Sequence, residues 1–124
     1  MKKIIATDNA PQAIGPYSQA VEANGFVFVS GQIPIIPETG VIPDGIESQT
    51  EQVMRNIGAI LKAAGLDYTN VVKSTVLLKN IADFATMNSI YAKYFTSECP
   101  ARAAFEVSNL PKGALIEMEV IACK

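Results

Sequence analysis

No histidine occurs anywhere in the 124 residues. That absence removes His-based triads, most catalytic zinc sites and His-type general acid–base chemistry. Any catalysis must then come from carboxylates, Arg, Lys, Tyr, Ser, Cys or backbone groups. Tryptophan is absent too, and no run of Lys or Arg exists. With a net charge of −2, the chain lacks the basic face with interleaved aromatics that a general nucleic-acid binder wants. Binding to a membrane surface is disfavoured on the same ground. No apolar run approaches the roughly 20 residues of a membrane span. The two cysteines, Cys99 and Cys123, are too few for a disulfide framework and show no metal spacing, so free thiols are expected. The amino-terminal MKKIIATDNAPQAIGPY has too short an apolar stretch for a signal peptide, and the cytoplasm is the expected location.

Against these absences stands a high apolar content. Hydrophobic residues make up 49% of the chain and charged ones only 18%. A chain of this length suits one domain, residues 1–124, and it can bury a sizeable core. So little charge implies either a generous core or apolar surface covered by another chain.

The pattern predicts the order β-β-α-β-α-β-β. Lys3–Thr7 is a short edge strand, followed by a Pro- and Gly-bearing loop that carries Tyr17. Phe26–Val29 is apolar on both alternating faces, which predicts a strand buried on both sides. Ile46, Val53, Ile57, Ile60, Leu61 and Ala64 fall near helical spacing, and Gly65 sits where a left-handed C-cap belongs. Val71–Leu78 is a β-branched strand. Phe84, Met87, Tyr91, Tyr94 and Phe95 build the apolar face of a second helix, with Asp83 near its N-terminus. PARAAFEVSNLPKGALIEMEVIA, Pro100–Ala122, supplies two last strands. The expectation is an α+β fold, with a mixed β-sheet and two helices on one face. Nothing remains to cover the other face, and a large exposed apolar face is uncommon in monomers. A second copy of the chain is the expected cover.

Few residues carry chemistry. Arg102 opens a strand among small neighbours, and a guanidinium is well shaped to hold a planar carboxylate by two parallel hydrogen bonds. A surface ion pair is the plainer alternative. Glu117 and Glu119 share one strand face, either as a solvated outer face or with one carboxylate held in a cleft as a general base. If the last two strands form a hairpin about Pro111, Arg102 faces Val120 and Glu117 falls on the other face. Tyr17 either caps a pocket or packs on the surface. Ser30 and Gly31 end a buried strand, where a glycine permits close approach to the backbone. Ser30 lacks a nucleophile's motif and base. Asn88 bonds a loop or ligand, or faces water.

These stretches together resemble one family. AIGPYSQA (13–20), FVFVSGQIP (26–34), VVKSTVLLKNIADFATMN (71–88) and the closing PARAAFEVSNLPKGALIEMEVIA are similar, in order, to segments of the Rid proteins (the YjgF family), and most of all to the RidA branch. The resemblance covers essentially the whole chain. It implies a chorismate-mutase-like fold and a homotrimer with clefts between subunits. It further implies hydrolysis of 2-aminoacrylate, its tautomer 2-iminopropanoate, and 2-iminobutanoate to 2-oxo acids and ammonia, with no metal or cofactor. Carried onto this chain, the carboxylate-binding arginine is Arg102 and the water-activating glutamate is Glu117. Pocket positions fall on Tyr17, Ser30, Gly31 and Asn88. Many members carry a cysteine two residues after the arginine. Here that position is Ala104, so only its backbone can contribute. The same pocket would serve a non-catalytic module binding 2-oxo acids or amino acids. A translation-inhibiting ribonuclease is a further reading, which the acidic balance and missing histidine oppose.

Overall fold

Asn24 and Gly25 reverse the chain with φ of 52° and 81°, the pair of left-handed residues that a two-residue hairpin turn demands. The turn joins two strands in tight register, with Ala23 opposite Phe26. In the computed structural model, which describes residues 1–124, the first of these is a strand that the apolar pattern did not predict. The elements are β1 (Lys3–Ile5), β2 (Ala20–Ala23), β3 (Phe26–Gln32), α1 (Ile46–Ala63), β4 (Val71–Leu78), α2 (Phe84–Tyr94), β5 (Ala101–Glu106) and β6 (Ile116–Cys123). They build one six-stranded sheet in the order β1-β2-β3-β6-β4-β5.

The last two strands do not form the hairpin about Pro111 that would have placed Arg102 opposite Val120. β5 pairs in parallel with β4, placing Arg102 beside Ser74. β6 pairs antiparallel with β4 and with β3. The reason lies in the connections. Helix α2 carries the chain back along the sheet, so the strand after it runs parallel to the strand before it. The segment after β5 then crosses the end of β4, where Val107 N–H donates to Leu78 O and Lys79 N–H to Leu115 O. β6 is left to enter the centre of the sheet.

Both helices lie on one face. Ile57, Ile60 and Leu61 of α1 and Met87 of α2 are fully buried against Val76, Ile116 and Met118 of the sheet. Burial of each such side chain contributes about 1.5–3 kcal/mol. Helix α1 ends as its spacing predicts: Leu66 N–H donates to Leu61 O and Gly65 N–H to Lys62 O, the double bond of a Schellman cap.

The other face is bare in the single chain. Phe26, Phe28 and Phe105 are 40%, 46% and 47% exposed. The expectation that Phe26–Val29 is buried on both sides is therefore met on one side only, by Val27 and Val29. Alternation along β6 puts Ile116, Met118 and Val120 under the helices and Glu117 on the bare face.

Candidate functional site

The glutamate comes first, because the sheet is deformed around it. Val29 pairs with Val120 and Gln32 with Met118. Ser30 and Gly31 thus stand opposite the single residue Glu119, which is a β-bulge. The bulge brings the Gly31 backbone against the neighbouring strand. A Cβ at position 31 would overlap Oε2 of Glu117 and stand 3.0 Å from its Cδ. The space a side chain would fill is occupied by the carboxylate. Glu117 is half-buried, and burial holds its carboxyl above the usual carboxylate range, with the charge of Glu119 adding to the shift. A carboxylate so placed is a stronger base than a solvated one.

Glu117 opens into a cavity of about 300 Å³ walled by Tyr17, Gly31, Ile33, Ile35, Pro111 and Lys112. The Tyr17 loop is held from behind. Gln19 is nearly buried, and its Nε2 donates to Pro11 O (2.7 Å) and Thr7 O (3.0 Å) while its Oε1 accepts from Thr7 N–H (2.7 Å). Ser30 works on the same loop, donating from Oγ to Ser18 O (2.5 Å) and from its N–H to Gln19 O (2.9 Å). Within the chain, the Ser30 hydroxyl proton is therefore committed to fastening the loop.

Arg102 lies elsewhere. Its row across the sheet runs through Ser74 to Val120, so its side chain emerges on the helix-covered face. There one guanidinium nitrogen donates to Asn88 Oδ1 at 2.7 Å. The guanidinium carbon stands 4.7 Å from the centre of the Tyr91 ring and 5.4 Å from that of Phe84, within cation–π range. Tyr91 is itself anchored, its hydroxyl 2.6 Å from Ser74 Oγ. An open hollow of about 430 Å³ lies beside this group, lined also by Phe95, Cys99 and Pro100. Ala104 is half-buried and packs against the core.

The structure thus brings Tyr17, Gly31 and Glu117 together, with Ser30 behind them, and joins Arg102 to Asn88. It does not bring the two groups together within one chain. They stand on opposite faces of the sheet with β4 between their strands, roughly 10 Å apart from strand spacing alone. Phe84 and Tyr91 escaped the sequence reading as partners of Arg102. Their spacing from Asn88, four before and three after, puts all three on one helix side. Gln19 and Lys112 carried no local signal.

Residues 7–124 match the family model described as Endoribonuclease L-PSP. A crystal structure of YyfA from Yersinia pestis, described as a Rid family protein of unknown function, superposes with a TM-score of 0.98 at 52% identity, over the full length of both chains. The chain belongs to the Rid family. A Bos taurus protein named 2-iminobutanoate/2-iminopropanoate deaminase is 53% identical over 98% of this Rid chain and 90% of its own length. Reactive Intermediate Deaminase A, chloroplastic, of Arabidopsis thaliana is also 53% identical over 98% of the chain, which spans 65% of that protein. The Rid fold accounts for the mixed sheet with both helices on one face. No helix is long and apolar enough to cross a membrane.

Proposed function

We propose that this Rid protein is a 2-iminobutanoate/2-iminopropanoate deaminase of the cytoplasm, acting as a homotrimer whose clefts join the Arg102 group of one subunit to the Glu117 cavity of the next. The observation that carries this reading is the separation just described. An anion anchor and a raised-pKa carboxylate lie on opposite sheet faces, and the glutamate's face is apolar and bare. Stacking copies on that face would cover the exposed phenylalanines and complete the site in one step.

In such a cleft Arg102 holds the substrate carboxylate through two parallel hydrogen bonds, its fork aimed by Asn88 and Tyr91. Tyr17 and Gly31 border the reacting carbon. Glu117 takes a proton from water as the oxygen bonds to C2 of the imine, and passes that proton to nitrogen. The hydroxyl proton of the resulting carbinolamine follows the same route. The C–N bond breaks, and a 2-oxo acid and ammonia leave. No residue outside those named is asked for a proton.

Generating 2-aminoacrylate in situ and following pyruvate tests the activity. Faster pyruvate release with the protein than without it is expected, and an unchanged rate defeats the reading. Light scattering should give three times the 13.3 kDa chain mass. Mixing tests the shared cleft. Arg102→Ala and Glu117→Gln subunits, unfolded and reassembled together, should regain roughly a quarter of wild-type activity, because random assembly places both intact residues in that share of clefts. A site within one chain would regain none.

The family description offers endoribonuclease as a second reading. Incubating RNA with the same preparation decides it: RNA cut by wild type and spared by Glu117→Gln would favour a nuclease.

A further inference from the structure

The walls of the Glu117 cavity are made where the chain leaves the sheet, and there the backbone loses its strand partners. Pairing of β3 ends at Gln32, so the carbonyls of Ile33 and Ile35 lie beyond it. Pairing of β6 begins at Ile116, so the Leu115 N–H lies before it. Buried backbone groups need partners, and one left without costs about 1–3 kcal/mol. Ile33 O accepts from Ile35 N–H at 2.8 Å, and the other partners come from one side of α1. Asn56 Nδ2 donates to Ile33 O at 3.2 Å and Ile35 O at 3.0 Å, and its Oδ1 accepts from Gln52 Nε2 at 2.9 Å. Gln49 Oε1 accepts from Leu115 N–H at 2.8 Å, and its Nε2 donates to Pro43 O at 3.0 Å. Asn56 has no exposed surface, and Gln49 and Gln52 are almost as deep. Positions 49, 52 and 56 fall on one helix side, so three amides interrupt what would otherwise be an apolar stripe.

Leucine or methionine would fill that volume as well. What they would not supply is direction. We propose that this amide row positions the Glu117 cavity: Asn56 sets where the Ile33–Ile35 wall stands against the carboxylate, and Gln49 fixes Leu115, two residues before Glu117, where the chain enters β6. The inference rests on Glu117 being the base. These amides touch no substrate and act through the backbone they hold. A shift of the order of 1 Å in such a wall can cost about 10²-fold in rate. A wider wall also admits water to a carboxylate that burial now keeps protonated more readily. The charged and titratable groups around that carboxylate are Glu119 on its own strand, Lys112 and Tyr17 on the cavity rim and, in the proposed trimer, Arg102 of the partner subunit across the cleft. None of these is altered by changing the amides.

The test compares Asn56→Leu with Thr50→Val. Thr50 is as deeply buried on the same helix, but its hydroxyl donates only to Ile46 O within it. Two readouts are taken well below the melting temperature. One is kcat and KM separately, with imine generated in situ. The other is the Glu117 titration, followed by carbon NMR without substrate. Asn56→Leu should lower kcat about tenfold with KM changed less, and the Glu117 midpoint should fall toward the ordinary carboxylate value. Thr50→Val should move neither. A folded Asn56→Leu with wild-type kcat and an unmoved Glu117 midpoint overturns the proposal and leaves the row a fold-stabilising one. Should Asn56→Leu fail to fold, Gln49→Met, which frees the Leu115 N–H just before β6, is judged by the same two readouts. If wild type turns over no imine, the deaminase reading fails, while the NMR titration still decides the positioning role.

Discussion

Arg102 lies on an edge strand and leans on a helix, whereas Glu117 lies on a central strand and is closed in by loops. The arginine is exposed, and two aromatic rings and an amide direct it without removing its water. An arginine needs no burial to stay charged, and a solvated cation can meet a dissolved anion cheaply. The carboxylate needs the reverse. Its basicity comes from lost water, which the bulged strand beside it and the loops around its cavity provide. Building both on one hollow of one chain would undo the second, because a guanidinium within about 4–6 Å pulls a carboxylate pKa down. In the proposed trimer the two groups stay apart until subunits meet, and a substrate carboxylate between them would answer the arginine's charge.

Breaking the exposed half should cost the most. Each hydrogen bond to a charged partner contributes roughly 1.5–3 kcal/mol, so loss of a bidentate pair in Arg102→Ala should lower kcat/KM on the order of 10²-fold or more. Arg102→Lys keeps the charge without the fork and should recover part of the loss. Calorimetry of 2-oxobutanoate binding to the folded variant checks the role, and unchanged affinity would falsify it. Breaking the buried half should spare binding instead. Glu117→Gln should bind 2-oxobutanoate as wild type does and lose about 10²-fold in kcat. Glu119→Gln should be mild. If Glu119→Gln proves the crippling change, the wrong carboxylate has been assigned.

The same contrast explains what was legible from residues alone. The helices were legible, because Ile57, Ile60 and Leu61 announce a buried stripe and Gly65 its end. The bare sheet face was legible too, in Phe26 and Phe28 alternating with Val27 and Val29. β2 was passed over although Asn24-Gly25 marks a hairpin, since AVEA is too short and too mixed to show alternation. Pairing was the larger miss. Whether β5 and β6 form a hairpin depends on α2 returning the chain to the sheet edge, and no local pattern near Pro111 records that. The separation of Arg102 from Glu117 follows from the same topology. The amides of α1 were invisible as well, because their partners lie 21 to 66 residues away in sequence.

A smaller effect is expected from Gly31→Ala. The added Cβ meets the Glu117 carboxylate and cannot stay unless that side chain swings away. With Glu117 as the proposed base, a swing would move it off the attacking water without removing it, so kcat should fall roughly tenfold, less than in Glu117→Gln. Ala104→Gly, on the strand of the arginine, removes a Cβ of no assigned role and should leave kcat within about twofold. Steady-state rates on both variants check the pair. Equal losses would mean that backbone perturbation of either strand is enough, and that the close contact at Gly31 has no special part.

The smallest effect is on stability, and it bears on whether the two halves meet. Burial raises the Glu117 pKa above 4.5, so the folded protein holds that proton more tightly than the unfolded chain. Below the ordinary carboxylate range both states are protonated and the difference costs nothing. As pH climbs from the ordinary value through the raised one, the folded state must release a proton it favours, and stability falls until both states are ionised. Glu117→Gln removes this titration. It should leave Tm unchanged near pH 4 and raise it near pH 8, on the order of 1–3 °C for a carboxylate that keeps half its exposure. A guanidinium across the cleft acts in the opposite direction, stabilising the ionised form. The gain at pH 8 should therefore be larger when Glu117→Gln is made on an Arg102→Ala background than on wild type. That difference is a coupling between two residues that a single chain holds on opposite faces of its sheet. Scanning calorimetry of the four proteins at both pH values measures it. Identical gains on the two backgrounds would show that Arg102 and Glu117 never share a cleft, and the assembled site would have to be given up.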